Sequence, residues 1–177
     1  MFPLRSAGQP IPRKDMGKRT TRTALQRGAS GKERPPRQSG DEGEKEVIRL
    51  VRCPNCGKEL MRLPPNYPMY DVQCTACSFR AQVKTNRCKP KNEIFGAGWE
   101  ILNKVLKAGF MIPPLIVNFK WREEGSSKQS IVFFPFVPRR HIRKTVARPT
   151  RSARRPYAMF NYTRLGDLPH MILFERE

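Results

Sequence analysis

From Val47 onward, apolar residues recur in short runs separated by turn-forming residues; before it the aliphatics are few and without period. Val47, Ile48, Leu50 and Val51 lead into a cysteine pair. Leu60, Met61 and Leu63 then read as a strand, Pro64-Pro65-Asn66-Tyr67-Pro68 as a turn, and Tyr70 and Val72 as the returning strand. From Phe79 to Lys84 the period is two, so Phe79, Ala81 and Val83 share one face and Arg80, Gln82 and Lys84 the other. Residues 92–107 read as one amphipathic helix, with Ile94, Gly98, Ile101, Leu102 and Val105 at helical spacing, Asn92 as cap and Ala108-Gly109 as its end. Gly96 and Gly98 lower helix propensity there and fit either a close approach to sheet or DNA or plain packing on the sheet. Residues 114–121 and 130–136 read as a hairpin around Glu123-Glu124-Gly125-Ser126-Ser127, and Met171-Ile172-Leu173-Phe174 as a final strand. The order strand, strand, helix, strand, strand, strand predicts an α/β fold with a mixed sheet.

Charge changes the picture at both ends of that pattern. The 177 residues carry 35 Lys and Arg against 15 Asp and Glu, a formal net charge of +20. Such an excess points to a polyanion partner, with nucleic acid expected and DNA and RNA not distinguished by charge alone. Ten Lys and Arg fall in the first forty residues, among Gly, Pro, Ser and Thr. Residues 1–46 are therefore expected to be a disordered basic arm that contacts phosphates, with an inert tail or an organelle transit segment as alternatives. The acidic run Gly40-Asp41-Glu42-Gly43-Glu44-Lys45-Glu46 reverses the charge and is expected to mark the edge of a domain spanning 47–177. Neither a long apolar run for a membrane span nor a signal-peptide core stands in the sequence. The expected location is the cytoplasm, at the nucleoid, or an organelle if the arm is a transit segment. No small-molecule substrate is expected.

Four of the five cysteines form two CxxC pairs, Cys53/Cys56 and Cys74/Cys77, separated by seventeen residues. A two-residue spacing lets both thiolates reach one tetrahedral Zn²⁺, so residues 53–77 are expected to be a four-cysteine zinc ribbon. Four thiolates close the coordination shell, which makes that zinc structural. Cys88 is left over, which fits a reducing compartment.

Asp71, Gln82 and Lys84 thread through the second half of the ribbon. The Asp71 carboxylate and the Gln82 side-chain oxygen are candidate Mg²⁺ ligands, and Lys84 a candidate to orient an attacking water and offset charge building on a phosphate. The spacing alone is also what a solvated basic strand would show. Arg139 and Arg140, then Arg151, Arg154 and Arg155, are candidate DNA contacts in a basic loop that Pro149 and Pro156 keep non-helical. His141 and His170 have no acid–Ser or acid–Cys partners and read as structural or surface residues.

The segments Cys53-Pro54-Asn55-Cys56-Gly57, Asp71-Val72-Gln73-Cys74-Thr75-Ala76-Cys77-Ser78 and Gln82-Val83-Lys84 together resemble the catalytic domain of the DpnI-like restriction endonucleases. The likeness continues in Gly96-Ala97, in Phe133-Phe134-Pro135-Phe136-Val137-Pro138, in Ala153-Arg154-Arg155 and in Leu168-Pro169, over roughly residues 50 to 175. It implies a PD-(D/E)xK nuclease core with the zinc ribbon inserted beside the active site. It also implies Mg²⁺-dependent cleavage of double-stranded DNA directed to methylated sites. Four features depart from that family. Gln82 stands where the family has Glu, as it does in active Mrr-like nucleases of the superfamily. Ala158 stands where a Trp contributes to the methyl-adenine pocket, leaving Tyr157, Phe160 or Tyr162 as candidate aromatic walls. The family's C-terminal winged helix has no counterpart before the chain ends. The segment ahead of the first CxxC reads as too short and polar for the family's N-terminal helices. These departures keep open a second class, a non-catalytic zinc-ribbon nucleic-acid-binding protein or assembly subunit with a decayed nuclease site.

Overall fold

Leu115, Ile116 and Val117 are buried on both faces of the strand that carries them, which puts that strand inside a sheet rather than at its edge. The computed structural model describes residues 36–65, 67–147 and 157–177. In chain order these form α1 (Pro36–Leu50), β1 (Leu60–Arg62), β2 (Val72–Cys74), β3 (Arg80–Asn86), β4 (Ile94–Gly98) and α2 (Trp99–Lys107). They continue with β5 (Leu115–Glu123), β6 (Ser126–Phe134), β7 (Ile142–Ala147), β8 (Tyr157–Tyr162) and β9 (Met171–Arg176). A six-stranded sheet has the order β1-β2-β3-β5-β6-β9, and a three-stranded sheet the order β4-β8-β7. In the larger sheet β3 and β5 run parallel, Gln82 opposite Leu115 and Lys84 opposite Val117, and the other neighbours are antiparallel. The fold is thus α/β with a mixed sheet, as the order of elements predicts.

A parallel pair needs a crossover connection, and β4 with α2 supplies it. One face of the large sheet, through Leu115, Val117, Phe119, Val132 and Phe134, packs on Ile94, Leu102, Phe160, Tyr162 and Leu165. The opposite face, through Ala81, Val83, Ile116, Ile131 and Phe133, packs on Val47 of α1, on Val51 just after it, and on Cys53 and Cys74. The β5–β6 hairpin turns at Glu124 and Gly125, both at positive φ (49° and 81°), the geometry that matches the twist of paired strands.

Four expectations change. The boundary expected at residue 46 falls inside α1, and the acidic run is the body of a helix rather than a domain edge. Gly43 and Val47 are buried on that helix, and a Cβ on Gly43 would lie 2.0 Å from the Thr85 hydroxyl, so a glycine lets α1 seat on β3. The expected arm at 1–35 lies outside the described residues. The single helix expected over 92–107 is instead β4 followed by α2. Gly96 takes strand geometry against β8, where a Cβ would meet the Phe160 ring at 2.1 Å, and Asn92 caps nothing on α2: its Oδ1 accepts the Gly166 N–H at 2.9 Å. The start of the expected basic loop is a 3₁₀ turn, Arg139–His141, followed by β7 paired along β8. Arg151, Arg154 and Arg155 lie outside the described residues.

Candidate metal centre and Asp-Gln-Lys site

The four ribbon cysteines converge. Their Sγ atoms all lie within 4.8 Å of one another, with Cys53 and Cys77 3.7 Å apart and Cys56 and Cys74 3.4 Å apart. A tetrahedral Zn²⁺ with Zn–S near 2.3 Å places its sulfurs about 3.8 Å apart, so the donor set and spacing fit. Gly57, at φ 72°, lets the chain leave the first knuckle while its N–H donates to the Cys53 carbonyl at 2.8 Å. The Ala76 N–H donates to Cys74 Sγ at 3.3 Å, and the Asn55 amide to Cys77 Sγ at 3.6 Å. The Phe79 N–H and then the Asn55 amide pull the Cys77 thiol down to about 6, and the Ala76 N–H lowers that of Cys74. Burial pushes the Cys53 thiol up. Against the Lys58 N–H, the Cys74 thiol raises that of Cys56 to about 12, so N–H groups favour the thiolate at Cys74 and Cys77, and the four converging sulfurs could hold a metal such as zinc.

Asp71 sits where β2 and β3 part. The Asp71 N–H still reaches the Ala81 carbonyl, at 3.0 Å. The next outward donor on β3, the Val83 N–H, finds no strand carbonyl and is taken instead by Asp71 Oδ2 at 2.7 Å. The carboxylate thereby stands in for a missing strand and is fixed at the fork. On the other edge of β3, the Gln82 N–H donates to the Pro114 carbonyl at 2.9 Å. Gln82 is 3% exposed, and its Oε1 accepts the hydroxyl of Tyr162 from β8. Burial, and then the charge of Asp71, pushes the Tyr162 phenol up, which keeps it a donor.

Lys84 lies two residues beyond Gln82, on the same side of β3. Burial holds its ammonium below the ordinary lysine value, while Asp71 and then Glu44 pull the other way. Asp71, Gln82 and Lys84 are therefore brought together. Three further residues join them that no sequence motif marks: Glu44, Arg62 and, in this role, Tyr162. Arg62 Nε donates to Glu44 Oε2 and its Nη2 to Asp41 Oδ1, both at 2.6 Å. Burial and then the Asp71 charge raise the Glu44 pKa against the pull of Arg62. A signal for Glu44 was present: Gly43, Val47, Leu50 and Val51 have helical spacing, which places Glu44 beside the buried stripe.

The expected aromatic walls of a methyl pocket are not available as a set. Phe160 and Tyr162 are core residues, and only Tyr157 is exposed. Arg139 and Lys144 flank the Trp99 ring at 4.8 and 5.5 Å from its centroid, Arg140 is exposed, and Arg143 pairs with Glu93. The buried His141 shares a hydrogen bond with the Thr163 carbonyl at 3.0 Å, a structural role as expected. Glu46 of α1 takes Lys120 at 2.9 Å and the Asn118 amide at 3.0 Å. Beside it, Arg87, Lys120, Arg122, Lys128 and Arg176 line a cavity of about 330 Å³, a cationic site absent from the sequence reading.

No helix among the described residues is long and apolar enough to cross a membrane. No protein-family model matches the chain, and no curated protein matches it.

Proposed function

We propose that this chain is a Mg²⁺-dependent endonuclease of the PD-(D/E)xK type that cuts double-stranded DNA, with zinc held by Cys53, Cys56, Cys74 and Cys77 as a structural ion. The observation that carries this reading is the fork at Asp71. A fixed carboxylate just ahead of β2 and, on β3, a buried amide oxygen and a half-buried lysine lie along that fork, with a second carboxylate, Glu44, coupled to them. An all-oxygen donor set suits Mg²⁺. Asp71 and Gln82 Oε1 would hold it beside Glu44, and the ion would polarise the scissile phosphate and its bound water. Lys84 orients the attacking water and offsets the charge that builds on the phosphate, an effect strengthened by its low-dielectric setting. Arg139, Arg140 and the cationic cavity around Arg87 and Arg122 take backbone phosphates. A methyl-directed preference belongs to the same reading, as does a nucleoid location. An organellar one belongs with a transit role for the arm.

A second reading has its own support. The oxygens just named are already engaged, Gln82 Oε1 by Tyr162 and Glu44 by Arg62, as they would be in a zinc-ribbon binding protein that no longer cuts. The experiment is cleavage of methylated and unmethylated plasmid by zinc-loaded protein, with and without Mg²⁺, beside Lys84→Ala. Mg²⁺-dependent cutting lost in the variant supports the nuclease. Binding without cutting under Mg²⁺ and Mn²⁺ leaves the binding protein.

A further inference from the structure

A cavity with aromatic walls adjoins the Asp71 fork. It measures about 680 Å³, with Tyr67, Tyr70, Phe79, Arg80, Phe110 and Pro114 in its wall. It shares backbone with the site: Tyr70 precedes Asp71, and Pro114 supplies the carbonyl that takes the Gln82 N–H. Its size falls within the roughly 300–1,000 Å³ typical of small-ligand pockets. The Tyr67 and Tyr70 rings stand edge to face at 6.4 Å and 66°. Arg80 Nη1 donates to the Tyr67 hydroxyl at 3.1 Å, and its guanidinium lies 5.8 Å from the Tyr67 ring centroid. Tyr67 and Phe110 remain 39% and 65% exposed at the cavity.

We infer that this cavity seats a nucleobase that has left the stack of the strand bound at Asp71 and Lys84. The inference rests on the nucleic-acid reading above and extends it to a ligand seat. Aromatic faces stack with any base, and a guanidinium stacks and donates to base edges. A base inside a duplex has both faces covered by its neighbours, so only an unstacked one can present them here. The occupant is picked by charge: a chain of net +20, with Arg80 in the wall, selects a polyanion over an apolar peptide.

The test is equilibrium binding by fluorescence anisotropy, using full-length zinc-loaded protein without Mg²⁺. One duplex carries a single bulged adenosine; the other carries an abasic bulge at the same place, so the backbone charge is equal. The expected result is binding of the bulged base tighter by about tenfold. That preference should vanish in Tyr67→Ala/Phe110→Ala and also in the volume-retaining Tyr67→Leu/Phe110→Leu. Equal affinity for the two duplexes overturns the seat, as does a preference that survives in both variants. Binding of neither duplex overturns the nucleic-acid reading and the seat with it. Cleavage is not read, so a protein that prefers the base without cutting DNA keeps the seat and loses only the nuclease.

Discussion

Replacing Tyr162 by Phe removes one oxygen from the middle of the candidate site and leaves nearly everything else in place. Tyr162 is 0% exposed and Gln82 3%. The ring keeps its edge-to-face contact with Phe160, at 5.2 Å and 79°, so packing is retained. What is lost is the donor to Gln82 Oε1. A hydrogen bond between neutral groups contributes about 0.5–1.5 kcal/mol net, but an acceptor left buried without a partner costs about 1–3 kcal/mol. Losing the buried hydroxyl offsets part of that, so Tyr162→Phe is expected to destabilise the fold by about 2 kcal/mol. Urea denaturation reads this directly, and the melting temperature should fall by about 4–8 °C for a domain of this size. If the amide then rotates, Mg²⁺-dependent cleavage should drop by about tenfold or more, since small misplacements of a positioning group are costly. The coupling is isolated by combining Tyr162→Phe with Gln82→Leu, which should show an interaction energy of about 1 kcal/mol or more. A stability change within about 0.5 kcal/mol, together with additivity in that cycle, would refute the claim that the phenol holds the amide.

The lysine, the thiols and the cationic cavity make further predictions. Burial lowers the Lys84 pKa in the folded chain, so the unfolded chain holds that proton more tightly and stability rises with pH from the folded Lys84 value up to the ordinary lysine value of about 10.4. Lys84→Met should flatten that stretch of the urea-midpoint curve, and an unchanged curve refutes the desolvated lysine. Of the five cysteines, only Cys88 should react with a thiol reagent in zinc-loaded protein, and all five after chelation, with a lower melting temperature. Full reactivity in the presence of zinc would remove the metal centre. Arg87→Gln/Arg122→Gln should reduce the slope of log binding constant against log salt by about 2 on duplex DNA, whereas an unchanged slope takes those residues out of the interface.

The β5–β6 hairpin, the ribbon and the four cysteines were legible because each has a local signature: period two, a turn, a fixed ligand spacing. What escaped had non-local causes. The run Gly40–Glu46 reads as a domain edge because its charges are visible in the sequence and their partners are not. Arg62 reaches Glu44 from 18 residues away and Lys120 reaches Glu46 from 74. The segment 92–98 has helical spacing, yet Gly96 lies in β4 against the Phe160 ring of β8, where a Cβ would not fit. Tyr162 reads as a pocket wall in the sequence, since its partner, Gln82, lies 80 residues earlier. Asp71, Gln82 and Lys84 could be proposed from spacing, but the reason Asp71 is fixed, an unpaired strand N–H at Val83, exists only once β2 and β3 part.

That environment also bears on why residue 82 is Gln. Glu44 and Asp71 already place two carboxylates around one desolvated ammonium, Lys84, and the nearby Arg62 is divided between Glu44 and Asp41. A third carboxylate, this one buried at position 82, would add repulsion without adding a cation, whereas a neutral amide is satisfied by the Tyr162 hydroxyl alone. Gln82→Glu therefore has opposite effects with and without a divalent ion. Without Mg²⁺ the variant should be less stable than the native chain. With Mg²⁺ it should recover and bind the ion about tenfold or more tightly, since an anionic oxygen replaces a dipolar one. Thermal melts across a Mg²⁺ series read both effects. A variant that loses stability and gains no response to Mg²⁺ would show that the fork does not take the ion. Asp71 would then remain as the cap on a strand end, and the binding reading would gain over the nuclease.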